Sequence, residues 1–278
     1  MASGQPQAIV KDRALLAGWD PDEPVPAFVY RPREGASLPV VVFLHGLGRD
    51  KEELADRLPD LAAAGLLVVA VDAFLHGERR EPSVFPAHTD ELGASQAIWV
   101  HQTCISHTAR DVSRIIDHLS DLPQADPSRV AVAGMSMGAC TALVVAARDR
   151  RVAAAVSLCG ATDGWWDVTK TPPGPEQDAR REGYSPRLRQ LVDSVDSMQH
   201  MAGMPPKAVL LLSAGRDRYI DARSVEAYAR RLKALYADDA EKVAFFLEPD
   251  AGHEVTDLMW QRTTAWFARH LQTQPGAG

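Results

Sequence analysis

The stretch VAVAGMSMGAC, Val130–Cys140, sets Ser136 between Gly134 and Gly138, directly after a run of small and β-branched apolar residues. A strand followed by Gly-x-Ser-x-Gly and then a helix forces the serine into a sharp, strained turn. Glycines two residues away on either side relieve the crowding, and the hydroxyl projects above the carboxyl ends of the strands. A serine hydroxyl is a poor nucleophile near neutral pH, so it needs a base, and the base needs an orienting group. Ser136 is a candidate nucleophile only if the rest of the chain supplies those partners.

In the folds that use this turn the chain order is serine, acid, histidine. Three histidines follow Ser136: His200, His253 and His270. His253 lies in EPDAGHEVTD, a turn between an apolar run and the final helical pattern, where an imidazole can reach the top of a sheet. His200 falls in an irregular stretch and His270 at the far, solvated end of a helix, so His253 is the expected base. The orienting carboxylate should follow the preceding strand, where KAVLLLSAGRDRYID offers Asp217 and, further on, Asp221. Asp217 has the better position, because Asp221 reads as the N-cap of the helix opening ARSVEAYARR.

Acyl transfer also requires donors aimed at a developing oxyanion. One is the backbone N–H of Met137, at the start of the helix after the serine. The other should come from FLHGLG, Phe43–Gly48, where glycines let backbone approach a ligand. Leu47 N–H is the preferred donor, with Gly46 or Gly48 as alternatives, and His45 is expected to fix this loop rather than act as a base.

The elements that must carry these groups alternate. PVVVFLH, LLVVAVDA, RVAVAG, RVAAAVSL, KAVLLLSA and KVAFFLE are strand-length runs without clean apolar–polar alternation. Such runs suit strands buried on both faces of a parallel sheet. Between them, KEELADRLPDLAAAG (with an awkward Pro59), SQAIWVHQTCISHTARDVSRIIDHLSDL, MGACTALVVAARD, DARSVEAYARRLKALYA and EVTDLMWQRTTAWFARHL have helical periodicity. The pattern predicts an α/β fold with a mostly parallel central sheet and helices on both faces. AFVY, near the start, reads as an antiparallel edge strand. Residues 77–94 and about 160–206 break the alternation and are longer than ordinary connections. We therefore expect a single domain over residues 1–278 with a small cap insertion at about 160–206.

Bulk properties narrow the function classes. The 278 residues are 46% hydrophobic and 24% charged, with a formal net charge of -7, which disfavours a nucleic-acid-binding surface. The N-terminus lacks the pattern of a secretory signal, and no apolar run reaches membrane-spanning length. Three cysteines, Cys104, Cys140 and Cys159, have no metal or redox spacing and read as small thiols in a reducing compartment, which predicts a cytoplasmic protein. His88, His101 and His107 lack acidic partners at ligand spacing, so no metal is expected. Trp165 and Trp166 could line an acyl or alcohol pocket or anchor the insertion to the body. His76, in DAFLHGERR, marks a turn beside the expected pocket, and the arginines of DARREGYSPRLRQ read as a solvated face.

Taken in order, HGLG, VVAVDAFLHGERR, GMSMG, GRDRYI and AGHEVTD resemble a bacterial serine esterase of the α/β-hydrolase superfamily, on its dienelactone hydrolase-like and prolyl-oligopeptidase-like side. The resemblance runs from about Pro39 to His270. It implies Ser136 as nucleophile, His253 as base, Asp217 as acid, and Leu47 and Met137 as oxyanion donors. It further implies a cofactor-free serine carboxylesterase acting on small to medium carboxylic esters, with no nucleic-acid or membrane partner. A thioesterase or small peptidase could use the same groups, and a binding module on this fold would usually lack one of them. Two departures matter. Dienelactone hydrolases carry a cysteine nucleophile where this chain has Ser136, with Cys140 one turn further along the helix. Prolyl oligopeptidases carry a large N-terminal propeller, whereas only about forty residues precede VVVFLH here.

Overall fold

The computed structural model describes residues 8–81, 94–162 and 181–271. Eight strands form one sheet: β1 Ile9–Leu16, β2 Val25–Pro32, β3 Leu38–Leu44, β4 Leu67–Val71, β5 Ala125–Met135, β6 Val152–Leu158, β7 Ala208–Ala214 and β8 Val243–Glu248. Their spatial order is β1-β2-β4-β3-β5-β6-β7-β8. β1 and β2 pair antiparallel, as do β2 and β4, and the remaining pairs are parallel. Six helices of the described chain surround it: α1 Leu58–Ala63, α2 Ala94–Asp117, α3 Met137–Arg148, α4 Pro186–Val195, α5 Ala222–Ala234 and α6 Asp257–Leu271.

The central strands are apolar throughout because each face has its own core. Val40, Val42 and Leu44 of β3 pack with Val112 and Ile115 of α2, Leu143 of α3 and Tyr228 of α5. Val41 and Phe43, their alternating neighbours, pack instead with Leu58 and Leu61 of α1 and Trp260 and Phe267 of α6. The same division separates Leu211 from Leu210 and Leu212 on β7. A strand sandwiched this way has no polar face to alternate, which is why periodicity alone reads it as a continuous run. The aromatic residues of α6 are core, as Trp260 and Phe267 show.

Several sequence expectations change in detail. AFVY belongs to β2, which is antiparallel but lies inside the sheet. The edge is β1, whose segment IVKDRALL exposes Lys11, Asp12, Arg13 and Leu15. The helix expected from Lys51 starts only at Leu58, after consecutive turns. Pro59 sits in its first helical turn, where a missing N–H costs nothing, and so it begins the helix rather than kinking it. Strand β5 starts five residues before Val130. In the region expected as a cap, α4 seats Leu188 and Val192 against Ile98 of α2. Trp165 and Trp166 lie outside the described residues. No helix of the described chain is long and apolar enough to cross a membrane.

Candidate active site

Strand β5 ends at Met135 and α3 starts at Met137, leaving Ser136 alone at the turn with φ 54° and ψ -116°. A side chain at positive φ is strained, and the surroundings here enforce it. Ser136 N–H donates to the Leu158 carbonyl on β6 at 2.9 Å, while its own carbonyl accepts from Cys140 N–H at 3.1 Å. The two glycines permit the close approach of strand and helix. A Cβ on Gly138 would lie 2.1 Å from the Leu44 carbonyl oxygen, and one on Gly134 would lie 2.4 Å from the backbone of Gly138.

Three side chains from three loops converge at this turn. His253, between β8 and α6, places Nε2 2.9 Å from Ser136 Oγ and Nδ1 2.7 Å from Asp217 Oδ2. Asp217 follows β7, and its side chain is 1% exposed. Its other oxygen, Oδ1, accepts the backbone N–H groups of Tyr219 and Ile220 at 2.8 and 3.0 Å. Burial alone would raise the Asp217 pKa, but His253 and those two N–H donors outweigh it and hold the carboxyl below its ordinary range. An ionised Asp217 accepts from Nδ1–H, which leaves Nε2 free to accept the serine proton. The His253 loop is fixed from below, because Gly215 and Arg216 donate backbone N–H bonds to Glu248 and Ala251. The ring edge of Tyr219 covers the imidazole at 5.0 Å between centroids.

Asp221 is instead the N-cap of α5, accepting from Arg223 N–H at 2.9 Å. His200 and His270 are elsewhere: His200 accepts from the Arg148 guanidinium and His270 tilts against Trp266.

The loop after β3 approaches from the opposite side. His45 is buried, with Nε2 accepting Ala73 N–H at 3.0 Å and Nδ1 bonded to the Gly46 carbonyl at 2.8 Å. Burial depresses its pKa to about 4, so the ring is neutral and ties this loop to the end of β4. A second tie is the buried pair Lys51 Nζ–Asp72 Oδ2 at 2.8 Å, reinforced by Lys51 N–H to Asp72 Oδ1 at 2.9 Å. Gly46 N–H is already engaged by the Glu53 carboxylate at 2.6 Å, which removes it as a free donor. Leu47 N–H and Met137 N–H accept no such commitment from the described residues, and both residues line the same cavity as Ser136 and His253. The cavity has a volume of about 640 Å3.

His76 does not line this cavity: it is buried behind it, with Nδ1 bonded to the Phe74 carbonyl and its ring 5.2 Å from that of His45. Cys140 lines the cavity wall, while Cys104 and Cys159 are buried, and all three are free thiols. No group of three His, Cys, Asp or Glu side chains among the described residues is placed to hold a metal ion. Sequence reasoning missed Glu53 and Tyr219. Tyr219 stands two residues after Asp217 in a turn that could have flagged it, but Glu53 sits in a stretch that reads as an ordinary helix surface.

Comparison with known proteins fits this architecture. YtaP, an inferred hydrolase of Bacillus subtilis, is 27% identical over 237 residues, 80% of this chain and 75% of its own. YitV, an inferred esterase of the same organism, is 22% identical over 241 residues, covering 84% and 90%. Among solved structures, TT1662 of Thermus thermophilus matches with a TM-score of 0.70 at 22% identity, over 96% of this chain and 100% of that one. The Pyrococcus furiosus esterase Pf2001 matches at 0.64 and 16% identity, over 95% and 92%. These structures share the fold. Residues 25–271 match the dienelactone hydrolase family, and the chain is therefore a hydrolase belonging to that family.

Proposed function

We propose that this chain is a serine carboxylesterase acting on carboxylic esters of small to medium size. The observation that carries the reading is the continuous hydrogen-bonded line from Ser136 Oγ through His253 to Asp217, opening on a cavity that also holds two uncommitted backbone donors. Ser136 Oγ attacks the acyl carbon as His253 Nε2 takes its proton. The tetrahedral oxyanion receives the N–H groups of Leu47 and Met137, preorganised at no cost during the reaction. Collapse of this intermediate breaks the bond to the alcohol oxygen, which leaves with the proton from Nε2. Water, deprotonated by the same nitrogen, then attacks the acyl-enzyme and releases the acid and Ser136. Asp217 stays ionised throughout and stabilises the imidazolium.

Ser136 rather than a cysteine at the turn speaks against dienelactone itself as substrate, since Cys140 is a helix residue bonded to the Ser136 carbonyl. The three free cysteines accord with a reducing, cytoplasmic setting. The test is hydrolysis of p-nitrophenyl esters from acetate to palmitate by wild type and Ser136→Ala. Turnover that peaks at short acyl chains and falls at least a thousandfold in the variant is the expected result. Turnover surviving in the variant overturns the assignment, and inactivity of the wild type against every ester, with activity on thioesters or peptides, replaces the substrate class.

A further inference from the structure

Glu53 is a carboxylate that the reaction does not use, set into the wall of the cavity where the reaction would occur. Its side chain is 17% exposed, and Oε2 accepts Gly46 N–H, one residue from the expected oxyanion donor Leu47. Arg49 Nε stands 3.7 Å from Oε1, but that arginine is 70% exposed and solvent screens most of its charge. Arg49 is also the one lysine or arginine among the described residues lining the cavity, whereas Glu254 adds a second carboxylate at the wall. Asp217, ionised behind His253, adds negative charge nearby but does not itself line the cavity.

We propose that Glu53 is a charge filter: its carboxylate disfavours esters bearing an anionic group on the acyl chain and admits neutral and cationic ones. The inference rests on the serine esterase reading and adds to it the electrical character of the substrate. Repulsion is an efficient source of such selectivity, because an excluded anion cannot recover by shifting within a wall of the same sign. Burial pushes the Glu53 carboxyl up, with Gly46 N–H, Arg49 and the His253 ring pulling it down and Asp50 adding to the rise. Gly46 N–H donating to Oε2 and Arg49 facing Oε1 favour the ionised carboxylate, and an assay at pH 8 favours it further.

The experiment compares kcat/KM for three p-nitrophenyl esters of one chain length: hexanoate, the adipate half-ester, and 6-(trimethylammonio)hexanoate. Wild type should favour the neutral ester over the anionic one by about tenfold, the effect of a unit charge across roughly 8 Å in a half-open cavity. Glu53→Gln keeps an oxygen for Gly46 N–H and should narrow that ratio to about threefold or less. Arg49→Ala acts in the opposite direction, widening the ratio by a smaller factor because solvent already screens most of that charge, and its exposed position makes misfolding no obstacle. Ratios unchanged in both variants overturn the filter, as does an equal loss for all three esters in Glu53→Gln, which would make Glu53 a brace for the loop and nothing more. Ser136→Ala, run in parallel, separates the two ideas. Loss of all three activities with unaltered ratios in the Glu53 and Arg49 variants sinks the filter alone, while activity retained in Ser136→Ala sinks the esterase mechanism itself.

Discussion

Replacing Asp217 by asparagine tests the proposed mechanism at a single atom. Oδ1 is held as an acceptor by two backbone N–H groups, from Tyr219 and Ile220, while Oδ2 faces His253 Nδ1. An asparagine that keeps its oxygen on those N–H groups must turn its NH2 toward the imidazole. Nδ1 then becomes the acceptor, the ring proton moves to Nε2, and Nε2 can no longer take the proton of Ser136. Flipping the amide to restore the working tautomer would break two backbone hydrogen bonds, costing about 2 kcal/mol, so only about one molecule in thirty is competent. The imidazolium formed during attack also loses a charge-assisted partner, which removes a further 1.5–3 kcal/mol, or roughly 10- to 150-fold. The two effects together reduce kcat by about a thousandfold, with roughly 10⁴ as the upper bound. The assay is kcat for p-nitrophenyl butyrate at saturation, beside a thermal melt to show that the variant folds. A folded Asp217→Asn protein retaining a tenth of wild-type kcat would refute the tautomer argument.

Two further predictions concern what holds the site in place. Lys51→Met leaves the fully buried Asp72 without its cation and should lower unfolding free energy by about 3–5 kcal/mol, read from urea denaturation; a loss below 1 kcal/mol would mean that backbone N–H groups alone satisfy that carboxylate. His45 and His101 are buried with pKa values depressed to about 4, against 6.5 in the unfolded chain. Below pH 6.5 the unfolded state binds protons that the fold excludes, so stability is full above that pH, declines between 6.5 and about 4, and levels off beneath. The decline amounts to about 3 kcal/mol per imidazole, and a urea midpoint independent of pH across that interval contradicts it.

Much of this molecule was legible in its sequence, for reasons that also explain what was not. The parallel strands show as apolar runs because both faces of the sheet are covered, only partly so at the outer strand β8, and the turn around Ser136 shows because no residue but glycine fits at 134 and 138. Strand β1 stayed hidden, since an edge strand with Lys11, Asp12 and Arg13 in solvent carries neither an apolar run nor a clean alternation. β2 was seen but placed at the edge, because pairing partners are a tertiary property that AFVY does not encode. The first stretch after HGLG reads as one helix up to Gly65, whereas it folds as turns until Pro59 can open α1. Glu53 vanished with that misreading: on a helix it would face solvent, and only the turn directs it back to Gly46. That one contact also removes Gly46 from the choice among Gly46, Leu47 and Gly48.

Ser136 and His253 are 117 positions apart, and Asp217 lies 36 positions before His253. A chain emerging from the ribosome N-terminus first therefore presents Ser136 long before residue 253 exists. At that stage Ser136 is an ordinary alcohol, unable to attack the esters and thioesters around it. His253 arrives only with β8, which takes the outer position of the sheet and pairs with β7 alone. Under the proposed mechanism the hydrogen-bonded line is incomplete until β8 docks, so the onset of turnover during refolding would mark the docking of that outer strand.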